Sequence, residues 1–459
     1  MLGTTAYRLV SAGRRSKLGR ALTSPSVLAV CSFLAAALGG GALFLLPGST
    51  QDQHHLSVVD AIFLSASAVC VTGLSPVADL TVVLTDQGWW ILLGLIQLGG
   101  VGVLFLGAML LGLLGARMPM RHAQALREGF AHTKGGVGRL VVRVSFFMLV
   151  AETIGACILR LGLDGSPRPW RDAFFHAASA FCNAGFSTFG KNLEERAHDP
   201  PFLLVIAGLI IIGGAGFSTL SETARSILFR RRLSLHSKIV WKVSAVLLVF
   251  GAVAFYILER DAILRGRGVG ESLLQSFFHS ASARTAGFNA VAMDALRPAT
   301  LLMLVLLMTI GGSPASTAGG VKTVTAAVAV AGLAAAARGR RSATLGNRTI
   351  GPEQVQRAML IVLIHLVTLA FAIVALTMSC EHLLLSGTRF LDFVFEASSA
   401  LGTVGLSTGV TPRLPDSGKI LLSIVMLIGR VGPLTVVLAV VPPPKPDAIR
   451  FPEERVFLG

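Results

Sequence analysis

Apolar runs long enough to cross a bilayer alternate with short polar stretches along almost the whole sequence. The hydrocarbon core of a membrane takes roughly 20 apolar residues per helix. On that measure the pattern predicts spans near 26–46, 88–114, 139–160, 202–224, 238–258, 300–335, 358–379 and 419–441. Between the two spans of each consecutive pair lies an apolar stretch of another kind, about 11 residues long and rich in small and aromatic side chains. An acid or other polar residue suited to an N-cap opens it. Such a helix measures roughly 16 Å, about half a bilayer. It then runs into a Gly inside a short polar stretch. Irregular backbone at membrane depth is tolerated only where it is buried or lines water, so the pattern predicts re-entrant loops.

These segments repeat. They read 60-DAIFLSASAVCVTGLS-75, 172-DAFFHAASAFCNAGFS-187, 274-LQSFFHSASARTAGFN-289 and 392-DFVFEASSALGTVGLS-407. With Gly73, Gly185, Gly287 and Gly405 in register, Phe63, Phe175, Phe277 and Phe395 stand ten residues earlier. Asp60, Asp172 and Asp392 stand thirteen earlier, with Leu274 the exception, and Ser75, Ser187, Asn289 and Ser407 two later. The unit of span, short helix, loop and span is therefore predicted four times. The expected fold class is an all-α membrane protein of four pseudo-symmetric repeats, with eight spans and four re-entrant pore helices around a central ion pathway. Its divisions are a basic N-terminus (1–25), repeats at 26–114, 115–235, 236–349 and 350–441, and a tail at 442–459.

A dehydrated potassium ion needs oxygens in place of its water shell, and backbone carbonyls converging from four loops supply them. Aligning carbonyls strains the chain, and Gly relieves that strain by accepting positive φ. The candidate filter residues are Val71, Thr72 and Gly73; Asn183, Ala184 and Gly185; Thr285, Ala286 and Gly287; and Thr403, Val404 and Gly405. One Gly among 50 reads naturally as a helix-packing contact. Four in matched context, each after a short helix, do not.

Composition narrows the class further. The chain is 53% hydrophobic and 14% charged, against about 25% charged in soluble domains, and its mean hydropathy is +0.72. The net charge of +16 raises nucleic acid as a partner, but its placement argues otherwise. Basic clusters around Arg14, Arg121, Arg230 and Arg340 fall at every second loop, while the alternate loops mix signs. That asymmetry places both termini in the cytoplasm. The first apolar run exceeds a signal peptide's h-region and reads as a retained span. The five cysteines lack CxxC spacing, which supports neither a disulfide framework nor a zinc site.

One predicted span is interrupted by 311-GGSPASTAGGVKT-323, which carries four Gly and a Pro and cannot continue as helix. A phosphate-binding loop would need Lys directly after its last Gly, and Val321 intervenes. A simple kink would need fewer small and polar residues. Arg430 lies in the middle of the last apolar run; an arginine at that depth costs at least roughly 2.5–3.5 kcal/mol, so it should face the interior with a partner. Glu152 should likewise pair inside the bundle. His176 and His279 read as hydrogen-bonded packing residues, and the His54–His55 pair as part of an outer loop. Asp60, Asp79, Asp86 and Asp172 fall on the outer side, as caps or as charges that concentrate cations at a mouth.

Carried by segments such as 174-FFHAASAFCNAGFS-187 and 281-ASARTAGFN-289, the chain resembles the superfamily of TrkH, KtrB and plant HKT potassium transporters. The resemblance runs from about Ser26 to the C-terminus, and eight spans favour KtrB. It implies potassium uptake through a filter with one Gly per repeat, and no enzymatic activity. A Ser in place of the first filter Gly goes with sodium permeation in this superfamily, so Gly73 implies potassium. The resemblance makes 311–323 a gate loop below the filter, with Gly311, Gly312, Ser313, Ala315, Ser316, Thr317, Gly319, Gly320 and Lys322 as its candidates and Arg430 in contact with it. It implies K+ as the transported ion with Na+ as a potential activator and no bound cofactor. It also implies a homodimer in the plasma (inner) membrane, on a cytosolic ring of nucleotide-binding, RCK-type regulatory subunits. A sodium or unselective cation pathway of the same fold stays open, as does a broken-helix carrier of small solutes. A membrane-embedded enzyme would need convergent acids, His or metal ligands, and the spans show no such pattern.

Overall fold

The computed structural model describes residues 25–52, 55–102, 137–340 and 342–440. The predicted N-terminus (1–25) lies outside the described residues apart from its last position, as do His54, the far half of the second span with the basic loop after it, Arg341 and the tail at 442–459.

Helices recur in one order. A long helix leads: α1 (Pro25–Phe44). A short one, α2 (Val58–Val69), follows, then a loop and α3 (Asp86–Val101). The second pass is α4 (Val137–Arg160), α5 (Pro169–Cys182), α6 (Pro200–Ala215) and α7 (Phe217–Phe229). The third is α8 (Leu235–Glu259), α9 (Val269–Ser282), α10 (Pro298–Thr309) and α11 (Thr323–Ala337). The fourth is α12 (Pro352–Ser379), α13 (Phe390–Gly402), α14 (Asp416–Val431) and α15 (Pro433–Val440). A small hairpin, β1 (Ala343–Leu345) with β2 (Arg348–Ile350), precedes α12.

The long helices α1, α4, α8 and α12 carry the membrane-length apolar stretches, yet only 17–44% of those stretches is buried inside the protein. The short helices are the reverse: residues 63–69 of α2 and 395–402 of α13 are buried without a break. Apolar surface outward and polar-ended helices inward is the arrangement of a protein dissolved in lipid, where burial supplies no driving force between apolar faces. The chain is a multi-pass helical membrane protein.

Three expectations change. First, the spans predicted as continuous at 202–224 and 419–441 each break at one Gly with positive φ, Gly216 (80°) and Gly432 (96°), and the helix of the 88–114 span ends at Gly102 (99°), the last described residue there. At Gly216 the axis turns by 102°. Among the described residues the interruption at 311–323 is thus the longest of three, not a single exception. Second, the acids expected as N-caps lie inside the first turn. Ser57 caps α2 through the Asp60 amide, and in α13 the Asp392 carboxylate accepts the Arg389 N–H at 3.1 Å. Third, the third repeat is one residue shorter between the buried Phe and the Gly. Phe63, Phe175 and Phe395 are buried, but their counterpart is Phe278, fully buried, while Phe277 is half-exposed. The same slip puts polar Gln275 where Leu274 was the exception, and its amide donates to the Ala197 carbonyl at 2.6 Å.

Candidate functional site

Within three residues of its end each short helix is followed by a residue twisted into the left-handed region: Val71 (φ 55°), Asn183 (59°), Thr285 (74°) and Thr403 (48°). Two residues later each chain is left-handed again, at Gly73 (99°), Gly185 (69°), Gly287 (79°) and Gly405 (95°). Valine and threonine are rare in this region because the branched Cβ collides with backbone, so three such residues at one offset hold about 1–3 kcal/mol of strain each. Alternation of hand along three residues turns successive carbonyls toward one side.

The loops meet. A Cβ placed on Gly73 would strike the Ala184 carbonyl oxygen, and one on Gly185 would lie 2.8 Å from the Ala286 oxygen. One on Gly287 would strike the Val404 oxygen, and one on Gly405 the Thr72 oxygen. Each glycine faces the carbonyl of the next loop in chain order, and the fourth faces the first, which closes a ring. The twelve candidate residues at 71–73, 183–185, 285–287 and 403–405 are therefore brought together.

Serines of the short helices brace the loops, a role absent from the sequence reading. Gly73 N–H donates to Ser67 Oγ at 3.1 Å and Gly405 N–H to Ser399 Oγ at 3.0 Å. Ser179 Oγ donates to the Phe186 carbonyl at 2.8 Å, and Ser282 Oγ to that of Phe288 at 2.5 Å. Ser67, Ser179 and Ser399 all stand six residues before the Gly, a column visible in the alignment; the slip in repeat three hid the fourth. Behind the loops, His176 holds the Asp172 carbonyl at 2.7 Å and Ser187 at 2.9 Å, while His279 holds the Gln275 carbonyl at 2.8 Å. Both are packing residues. Glu152 accepts from the Gln97 amide at 2.6 Å.

Residues 310–322 lie against the inner ends of these loops. Thr317 Oγ1 donates to the Phe181 carbonyl at 3.1 Å and meets the Asn183 amide at 3.2 Å. The Ser313 amide donates to the Gly214 carbonyl at 2.9 Å. A Cβ on Gly319 would strike Thr403 Oγ1, and one on Gly311 would lie 3.0 Å from Thr285 Cγ2. Gly312 packs on Ala318, Ser316 Oγ donates to the Ser313 carbonyl at 2.7 Å, and Gly320 and Ala315 take positive φ (62° and 58°). The segment thus crosses beneath three of the four loops.

Three cations hold it by its carbonyls. Arg430 donates to the Thr317 carbonyl, and its other terminal nitrogen to Gly99 of repeat one at 2.6 Å. Lys322 Nζ donates to the Ala318 carbonyl at 2.5 Å. Arg284 reaches the Gly311 carbonyl at 3.5 Å and Ser244 Oγ at 3.0 Å. Among the described residues none of the three is in a salt bridge. Arg284 was missed in the sequence because it stands directly before a loop residue, where it reads as part of the motif. Lys322 and Arg430 line a cavity of about 240 Å³ with Phe147, Phe181 and Phe217.

The outer acids are committed elsewhere. Asp60 pairs with Lys419 at 2.6 Å, Asp86 with Arg171 at 2.8 Å and with Arg168, Asp172 with Arg171 at 2.8 Å, and Asp79 accepts the Thr81 N–H at 2.7 Å. Glu194 instead sits beside the third loop, accepting from the Asn289 amide at 2.8 Å. Burial pushes its carboxyl above the ordinary glutamate range, nearby Lys191 opposes this, and Asp294 adds to it.

A multi-pass helical protein with four inward loops closing on one ring of backbone oxygen belongs to the cation-conducting class. Residues 43–447 match the family model described as TrkH, cation transport protein. The chain belongs to that family, within the TrkH/KtrB superfamily. It is 35% identical to the Ktr system potassium uptake protein B of Bacillus subtilis over 95% of this chain and 97% of that one. It is also 35% identical to the protein of the same name from Vibrio alginolyticus, over 93% of each. Against the potassium/sodium uptake protein NtpJ of Enterococcus hirae it is 33% identical, over 95% and 97%. Among solved structures, the potassium transporter TrkH of Vibrio parahaemolyticus shares the fold, with a TM-score of 0.72 at 19% identity over 92% of this chain and 85% of that one.

Proposed function

We propose that this chain takes up potassium across the plasma membrane through the ring formed by 71–73, 183–185, 285–287 and 403–405. The observation that carries this reading is the cyclic approach of each filter Gly to the carbonyl of the next loop. Four backbone segments with oxygens toward one axis replace the hydration shell of a monovalent cation. The names of the Bacillus and Vibrio relatives support potassium. A membrane potential of 100 mV supplies about 2.3 kcal/mol per charge, enough for roughly a 50-fold concentration ratio without ATP.

The 311–323 segment is the gate. With Arg430, Lys322 and Arg284 holding it, it stands across the path below the ring, and their unneutralised charges repel a cation there. Both termini are cytoplasmic, and the active form is a homodimer on a cytosolic ring of nucleotide-binding, RCK-type subunits. Rescue of a potassium-uptake-deficient bacterium at limiting potassium tests the reading: the wild type should restore growth, and Gly287→Ser should not. Growth with neither sinks it. The Enterococcus relative's name favours a second reading, in which sodium also passes. Rubidium uptake competed by potassium but not by equal sodium selects the first; equal competition selects the second.

A further inference from the structure

Helix α7 leaves α6 at 102°. Helix α6 is 16 residues long and apolar, and α7 runs across its axis rather than extending it. Its apolar residues Phe217, Leu220, Ala224, Ile227 and Leu228 recur at helical spacing, and Ser218, Ser221, Glu222 and Arg225 fill the other face. The first two line the cavity under the 311–323 segment. The tip is different: Ile227, Leu228 and Phe229 are 74%, 73% and 66% exposed. Arg230 ends the helix with φ 49°, and Arg231 and Arg232 follow, all exposed, as is Arg225. The one acid of the helix, Glu222, is engaged by the Ser234 amide at 2.5 Å and the Ser234 hydroxyl at 2.7 Å. Trp241 donates to Thr223 Oγ1 at 2.9 Å and ties α8 to α7.

We infer that residues 225–232 are an interfacial anchor that binds the phosphate headgroups of anionic lipids. Large apolar side chains and four arginines within eight residues need an acyl layer and a layer of negative charge side by side. The membrane interface offers both within one helical turn. An acidic protein would satisfy the arginines and leave Ile227, Leu228 and Phe229 in water.

Native mass spectrometry of the intact detergent-solubilised protein tests this, after delipidation and addition of equal phosphatidylglycerol and phosphatidylcholine. The wild type should retain phosphatidylglycerol several-fold over phosphatidylcholine, and the triple variant Arg230→Gln, Arg231→Gln, Arg232→Gln should lose that preference. The paired variant Arg338→Gln, Arg340→Gln, which removes charge from another loop, should keep it. In Phe229→Trp, brominated acyl chains in proteoliposomes should quench the added fluorescence, which reports position whether or not the triple variant folds. Equal phosphatidylglycerol retention by wild type and triple variant overturns the proposal. So does quenching by aqueous acrylamide with none by brominated lipid.

Discussion

The four loops of the ring and the segment beneath them are both irregular backbone buried at membrane depth, yet they are held in opposite ways. Each loop is tied to its own short helix by a serine at close range, and three of the four are locked by a strained residue just after the helix. The segment at 311–323 is held from outside: Arg284 precedes a loop residue, Arg430 comes from α14 and ties it to repeat one, and only Lys322 is its own. Short neutral ties cannot lengthen without breaking the helix end. Long cationic side chains can swing away while the packing around them stays in place. A rigid element and a releasable one therefore sit in contact, at Asn183, Thr285 and Thr403.

The sharpest way to break this contrast is to add a methyl group to the rigid side. In Gly405→Ala the Cβ meets the Thr72 carbonyl at a φ of 95°. Neither element can yield, so a penalty of at least about 3 kcal/mol falls on the ring, which is on the order of 100-fold in rubidium uptake. Uptake within twofold of wild type would show that the ring is deformable. Gly339→Ala, also left-handed but with open space around its Cβ, should leave uptake near wild type and separates strain from collision.

On the releasable side the sign reverses. Arg430→Ala removes two charge-assisted hydrogen bonds, worth about 1.5–3 kcal/mol each in stability. The segment should then leave its seat more often, so unstimulated uptake should rise on the order of tenfold. Arg430→Lys, which reaches one carbonyl at a time, should fall between. A loss of uptake in both variants, with normal amounts of protein in the membrane, would make Arg430 part of the conducting path rather than a clasp.

The contrast also explains what the sequence revealed. Long apolar runs and four matched glycines are strong signals because lipid and ring geometry each demand one residue type repeatedly. Single-residue breaks are weak signals: Gly216 and Gly432 cannot be told from the other glycines of a chain that has 50, and only the thirteen-residue interruption stood out. The slip in repeat three was invisible because its two adjacent phenylalanines fit either register, and burial alone selects Phe278. The clasp was half legible. Arg430 was conspicuous amid apolar neighbours, while Arg284 looked like one more variable position of the motif.

Removing a brace should have a smaller effect, and a different one. In Ser399→Ala the Gly405 N–H loses its acceptor, worth about 1 kcal/mol. Gly405 should then sample other orientations, so discrimination between potassium and sodium should weaken severalfold while total uptake holds. Competition of rubidium uptake by sodium measures this. Unchanged competition would mean that the strained Thr403 alone fixes the loop.

The mildest test lies outside both elements, at Glu194. Its carboxyl sits beside the third loop and takes up a proton at higher pH than a free glutamate, because burial disfavours its charge. Acidification therefore removes its negative charge before the ordinary glutamate range is reached. A raised carboxyl also contributes to folding in the opposite sense to a salt-bridged one. Its stabilising share is present below the ordinary glutamate range and is lost as pH rises through the raised value. Glu194→Gln should lower rubidium uptake by less than about twofold at low ionic strength, through weaker attraction of cations to the mouth, and by still less near 0.15 M salt, where screening acts over about 8 Å. The wild type should approach the variant as pH falls and the variant itself should lack that step. If the two keep a constant ratio across pH, the carboxylate acts through its contact with Asn289 and not through its charge, and the rigid side extends outward to that contact.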